Sequence, residues 1–166
     1  MNVLVIGSGG REHSLCWKIS QSKKCEELYC MPGNGGISKI ANCVDLDPNI
    51  KSDVYSFCVK KNINFVVIGP EVFLEQGLSD YLMKRKISVF GPSKKAAKLE
   101  TSKVFSKKFL KKYKIPTANY KTFNDFKKAE LFLNKSSSPF VIKVDGLASG
   151  KGVFICESKK EAIKVT

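Results

Sequence analysis

This chain has little of what builds a metal centre or a nucleic-acid reader. It has six cysteines but no C-x-x-C pair, and His13 is its only histidine. A zinc site is therefore not expected, and no metal ligand can be nominated from the sequence. Arginine is almost absent too. The formal net charge is +14, yet Arg11 and Arg85 are the only arginines. Specific DNA and RNA readers favour arginine for its bidentate fork, so a lysine-borne charge speaks against that class. The lysines are also scattered. In the stretch 105–113, Phe105, Phe109 and Tyr113 fall on one helical face, while Lys107, Lys108, Lys111 and Lys112 lie mostly away from it. That is the pattern of a solvated helix face; a basic nucleic-acid-binding module stays as the alternative. No apolar run approaches the ~20 residues of a membrane span. The N-terminal apolar run Val3–Ile6 is too short for a signal peptide, and no basic segment precedes it. These features predict a cytoplasmic protein without membrane partners, whose thiols stay reduced and mostly buried.

What is present is an alternation of strand-like and helix-like segments. Residues 2–6 read as a strand, 11–21 as a helix with Leu15 and Ile19 on one face, and 27–31 as a second strand. Asp47-Pro48 signals a helix start, and 50–61 carries Val54, Phe57 and Cys58 at helical spacing. Residues 64–68 form a buried-type strand, 74–86 a helix and 87–90 a short strand. This order predicts an α/β fold with an open parallel sheet. The pattern then changes. Residues 93–114 read as helix, with Thr101 a candidate cap at a break, and 120–122 as a short strand. Asn124 is expected to cap a helix to about 134. Ser158 and Glu161 form a capping box that opens a last helix. The expected organisation is one domain over 1–100 and the start of another over 101–166.

Two loops carry the chemistry. Gly7-Ser8-Gly9-Gly10-Arg11-Glu12-His13 joins the first strand to the first helix. In an open α/β sheet, phosphates bind there on free N–H groups at the positive end of the helix. Glu12 takes the place of the third glycine of the dinucleotide fingerprint, and no acidic residue ends the second strand. NAD and FAD are thereby disfavoured, leaving a smaller phosphorylated ligand or a purely structural turn. Pro32-Gly33-Asn34 and Gly69-Pro70-Glu71 follow strands at the same edge. The second loop is richer. Residues 139–156 read as strand, loop and strand, with Lys143 on the incoming strand and Gly146, Gly150, Lys151 and Gly152 in the loop. Glycines let N–H groups approach an anion, and the lysines add charge where a triphosphate would lie. A P-loop is excluded, because its G-x-x-x-x-G-K-[ST] string is missing and a strand follows. The plain alternative is a hairpin with a flexible turn, although hairpins normally use only about two to five loop residues.

Together these stretches resemble the N-terminal part of the phosphoribosylamine–glycine ligases, ATP-grasp enzymes of purine biosynthesis. The resemblance rests on Val3–His13, Pro32-Gly33-Asn34, Val67–Glu71, Phe90-Gly91-Pro92, Leu99–Phe105, Ile115–Ala118 and Val141–Val153, in family order. It implies an α/β domain followed by the first part of an ATP-grasp domain. It implies an enzyme in which ATP phosphorylates the carboxylate of glycine and the amine of phosphoribosylamine attacks the acyl phosphate. Lys103 and Lys143 would contact ATP phosphates, and Gly146, Ser149, Gly150, Lys151 and Gly152 would cover them. Gly9, Gly10, Arg11, Asn34 and Glu71 would face the phosphoribosyl substrate. A divalent cation, Mg2+ or Mn2+, is implied, with ligands in a later half of the family fold that has no counterpart here. The chain is therefore expected to be catalytically incomplete. Val72-Phe73 and Ser149 depart from the family pattern, where alanine-proline and alanine are expected. A related purine-pathway carboxylase of the same superfamily is the nearer alternative; the Gly10–His13 and Asp145–Val153 strings argue against it.

Overall fold

The computed structural model describes residues 1–148 and 150–166, which divide into two compact units, Met1–Lys98 and Leu99–Thr166. The first is built on five parallel strands: β1 (Asn2–Gly7), β2 (Glu27–Pro32), β3 (Asn42–Cys43), β4 (Ile63–Ile68) and β5 (Ser88–Phe90). Their spatial order is β3-β2-β1-β4-β5, so β1 lies at the centre. Its apolar run is buried on both sides, as a central parallel strand requires. Leu4 and Ile6 face one layer with Tyr29, Met31, Val66 and Ile68. Val3 and Val5 face the other with Leu28, Cys30 and Val67.

Helix α1 (Gly10–Ser20) covers the second layer through Cys16, with Leu15 and Ile19 packed alongside. Helices α2 (Lys51–Lys60), α3 (Glu71–Glu75) and α4 (Leu78–Met83) cover the first through Val54, Cys58, Leu74, Leu78 and Leu82. Both faces are thus sheathed. Burying each large aliphatic side chain is worth about 1.5–3 kcal/mol.

The second unit holds α6 (Lys103–Lys112), α7 (Phe126–Lys135), an antiparallel pair β6 (Phe140–Lys143) and β7 (Val153–Cys156), and α8 (Lys159–Val165). Helix α5 (Lys94–Thr101) spans the division. Leu133, Cys156 and Ala162 form a small core joined by Phe140 and Ile142. The opposite face of the hairpin leaves Val141, Val153 and Ile155 exposed, Ile155 at 68%.

Several expected elements differ. The helix expected over 74–86 is two helices beginning at Glu71, parted at Gly77, where φ is +84°. The break expected at Thr101 falls at Ser102, whose Oγ accepts the Phe105 N–H at 3.1 Å. No strand forms over 120–122. The cap of α7 is Asp125, not Asn124, because Asp125 Oδ1 accepts the Lys128 N–H at 2.9 Å. Replacing Asp125 with alanine is expected to destabilise the second unit by about 1 kcal/mol; urea unfolding followed by far-UV circular dichroism measures it.

Candidate functional site

In the first unit three adjacent strand ends lie side by side. β1 ends at Gly7 and α1 opens at Gly10; β2 ends at Pro32 before Gly33-Asn34; β4 ends at Ile68 before Gly69-Pro70 and Glu71, the first residue of α3. Hydrogen bonds tie the loops together. The Gly33 N–H donates to Gly7 O at 3.1 Å, and Asn34 Nδ2 donates to Ser8 O at 2.7 Å. Asn34 Oδ1 accepts the N–H groups of Gly36 and Ile37 at 2.8 and 2.9 Å. Both ends of the Asn34 amide are therefore engaged in shaping the loop.

Arg11 reaches across this edge. Its Nη2 meets Glu71 Oε2 at 3.3 Å and its Nε meets Glu12 Oε1 at 3.2 Å. The guanidinium is thus held between two carboxylates of different character. Glu71 is half-buried, whereas Glu12 is only 3% exposed. Glu12 Oε2 accepts the Gly9 N–H at 2.8 Å. It is the third residue of α1, the place from which a glutamate reaches back to the N-cap amide. The N–H groups of Gly10 and Arg11 stand at the positive end of α1, where no intrahelical acceptor exists. Nothing lies within 4 Å of the point where a Gly10 Cβ would sit. This edge can take an anion on the N–H groups and guanidinium, with carboxylates alongside for hydroxyl or amine donors.

Sequence reasoning missed Glu12 as a working residue and read it as a departure from a fingerprint. Its signal was present in the spacing from Gly9. His13 stands against Gly36, whose missing side chain leaves room for the imidazole. The buried thiols are structural. Cys30 Sγ contacts Gly7 O at 3.3 Å, and its hydrogen bond with Cys16 pushes the Cys16 thiol down and the Cys30 thiol up. Burial pushes the Cys58 thiol up to about 11.

In the second unit the glycine-rich loop connects β6 to β7. Val144 N–H donates to Gly152 O at 2.9 Å and closes its base, and Lys151 N–H donates to Ala148 O at 2.8 Å. Gly146 has φ +85° with open space around its Cβ position, so its backbone, not crowding, calls for glycine. Lys103, first residue of α6, donates from Nζ to Gly146 O at 2.9 Å. Lys143 pairs across the hairpin with Val153 and is exposed. Among the described residues, neither Lys143 nor Lys151 has a side-chain hydrogen bond. Gly150 and Gly152 complete the described loop, and Ser149 lies outside the described residues.

Asp145 was not anticipated. Its Oδ1 accepts the Val104 N–H at 3.1 Å and its Oδ2 the Ser102 hydroxyl at 3.1 Å. Asp145 is exposed, and the slight desolvation of its carboxylate works to raise its pKa. N–H donation from Val104 and Gly146, the Ser102 hydroxyl and the Lys103 N–H outweigh that and hold it below the ordinary aspartate range. A depressed folded pKa means the interaction is complete above the ordinary aspartate value and is lost as pH falls through the folded value.

Among the described residues, no group of three or more His, Cys, Asp or Glu side chains could hold a metal ion, and no helix is long and apolar enough to cross a membrane. The residues present do not fit the divalent cation that the resemblance implies.

Residues 1–100 match the family model described as phosphoribosylglycinamide synthetase, N domain. Residues 101–166 match the phosphoribosylglycinamide synthetase ATP-grasp (A) domain. A phosphoribosylamine–glycine ligase of Mesorhizobium japonicum is 49% identical over 98% of this chain and 38% of its own length. One from Clostridium acetobutylicum is 45% identical over 98% of this chain and 39% of its own. The crystal structure of the ligase from Thermotoga maritima superposes with a TM-score of 0.78 at 34% identity, over 99% of this chain and 38% of that one. The chain spans about two fifths of the length of these relatives.

Proposed function

This chain belongs to the phosphoribosylglycinamide synthetase family, and from that premise we propose that it supplies the phosphoribosyl-substrate side and part of the ATP side of a ligase joining glycine to 5-phosphoribosylamine. In that reaction a glycine carboxylate oxygen attacks the γ-phosphorus of ATP and ADP leaves. The amine of phosphoribosylamine then attacks the acyl carbon, phosphate departs with the C–O bonding pair, and the amine proton passes to solvent. The amide product is glycinamide ribonucleotide. A carboxylate is a poor electrophile, and the acyl phosphate supplies the leaving group it lacks. The bound divalent cation would neutralise phosphate charge; none of the residues described here is assigned to it.

The assignments follow the two units, taken as domains 1–100 and 101–166. Gly10 and Arg11 hold the 5-phosphate, Gly9 lets it approach the backbone at the head of α1, Glu71 meets the sugar or amine, and Asn34 shapes the loop. Lys103, Lys143, Lys151 and the glycines Gly146, Gly150 and Gly152, with Ser149, attend the ATP phosphates. A soluble, cytoplasmic site of action goes with these small-molecule substrates. The observation that carries the first assignment is Arg11 spanning Glu12 and Glu71 beside the open N–H groups of α1.

Ribose 5-phosphate titrated into the chain tests it. Saturable binding is expected, weakened about tenfold or more by Arg11→Ala, since a charge-assisted contact is worth about 1.5–3 kcal/mol. Lys143→Ala is expected to leave it unchanged. Equal weakening by both variants, with the fold intact by circular dichroism, would refute the division. Steeply salt-dependent oligonucleotide binding in place of sugar-phosphate binding would favour the nucleic-acid module.

A further inference from the structure

The glycine-rich loop is fastened to a helix 43 residues earlier in the chain through Asp145. The carboxylate sits on the N-terminal end of α6, where the helix dipole favours an anion. It accepts the Val104 N–H and the Ser102 hydroxyl, while Ser102 Oγ itself accepts the Phe105 N–H. The next residue, Gly146, turns the chain at φ +85° and offers its carbonyl to the Lys103 ammonium. The same segment thus grips α6 at two points, through the Asp145 side chain and through the Gly146 carbonyl.

The N-terminus of α6 already holds a carboxylate, so a phosphate group has no seat there. At this end of α6 the charge that can meet a polyphosphate is the Lys103 ammonium, beside Lys143 and Lys151 of the hairpin and loop, and its position depends on where the Asp145 contacts hold Gly146.

We propose that Asp145 is a positioning residue, which fixes the start of the glycine-rich loop to α6 and thereby sets the place of the Lys103 ammonium for nucleotide binding. The inference rests on the ATP-side assignment made above.

A control is built into the same unit. Asp125 also caps a helix with its carboxylate, at α7, but touches neither Lys103 nor the loop. An ordinary capping role predicts that losing Asp125 or Asp145 has the same consequence. A positioning role predicts that they differ.

The experiment compares the 166-residue chain with its Asp145→Ala, Asp145→Asn and Asp125→Ala variants. It uses amide hydrogen exchange at Val104 and Gly146 and an NMR titration with Mg·ATP. Asp145→Ala is expected to speed exchange at both amides and raise the titration midpoint by about tenfold or more, as loss of a charged hydrogen bond implies. Asp125→Ala should leave the midpoint within about twofold, and should speed exchange by no more than about fivefold, the effect of loosening the unit by about 1 kcal/mol. Asp145→Asn keeps one acceptor oxygen for the Val104 N–H and should recover part of each loss. Equal shifts of the midpoint in the two alanine variants overturn the proposal. If the unmodified chain shows no saturable Mg·ATP binding, the ATP-side assignment falls with the nucleotide role. The fastening is then decided by exchange alone: rates in Asp145→Ala no faster than in Asp125→Ala overturn it, and a larger rise at both Val104 and Gly146 sustains it.

Discussion

The 166-residue chain, given ATP, Mg2+, glycine and 5-phosphoribosylamine, is expected to form no glycinamide ribonucleotide above the uncatalysed background. Phosphoryl transfer to a carboxylate brings two anions together, and the electrostatic load is the larger part of the barrier. The described residues contribute lysines and loop N–H groups to that load, but no cluster of carboxylates or histidines able to seat a cation. They also leave the Val141, Val153 and Ile155 face of the hairpin open. A polyphosphate beside it would stay hydrated and its interactions screened. Formation of radiolabelled glycinamide ribonucleotide from labelled glycine measures the outcome. Turnover near ~10 s⁻¹, an ordinary enzyme rate, would show that the metal-binding and glycine-binding groups are within these residues after all.

Much of the first unit was legible because its strands are buried on both faces. Val3–Ile6, Leu28–Met31 and Val66–Ile68 are uninterrupted apolar runs, and such runs have few alternatives to a central parallel strand. β3 was missed because it is two exposed residues, Asn42 and Cys43, whose pairing with β2 leaves no periodicity to read. The division of the 74–86 helix was missed because the leucines on either side of Gly77 keep helical spacing across the break. Residues 120–122 carry the composition of a strand but have no neighbour to pair with.

The candidate site divided along the same line. Gly9, Gly10, Arg11 and Glu71 could be placed at one sheet edge from topology alone, since consecutive parallel strands present their carboxyl ends together. Glu12 and Asp145 could not be weighed from sequence. The role of Glu12 depends on burial, and that of Asp145 on partners 41 and 43 residues away. Neither leaves a local signature beyond a capping-box spacing at Glu12.

Gly7→Ala is expected to be among the most damaging single substitutions in the first unit, costing about 3–4 kcal/mol. The backbone at Gly7 has φ +127°, where an L side chain is strained by about 1–3 kcal/mol. A Cβ there would also come within 2.6 Å of Glu12 Cγ and 2.9 Å of Pro70 Cδ. Overpacking of this kind adds about 1–3 kcal/mol. Against a total stability of about 5–15 kcal/mol, the loss is a large fraction. Loss of the NMR signals of the β1 amides in urea measures unfolding of this unit. The partner variant Glu12→Ala removes that wall but strands the Gly9 N–H, at a cost of about 1–3 kcal/mol. If the wall is what Gly7 must avoid, the two losses should not add. Gly7→Ala should cost about 1–2 kcal/mol less in the Glu12→Ala background, because only the backbone strain and the Pro70 contact remain. Strict additivity would mean that the glycine is held by its dihedral and the Pro70 contact, and that the buried Glu12 carboxylate is anchored by its hydrogen bonds to Gly9 and Arg11 without help from packing against Gly7.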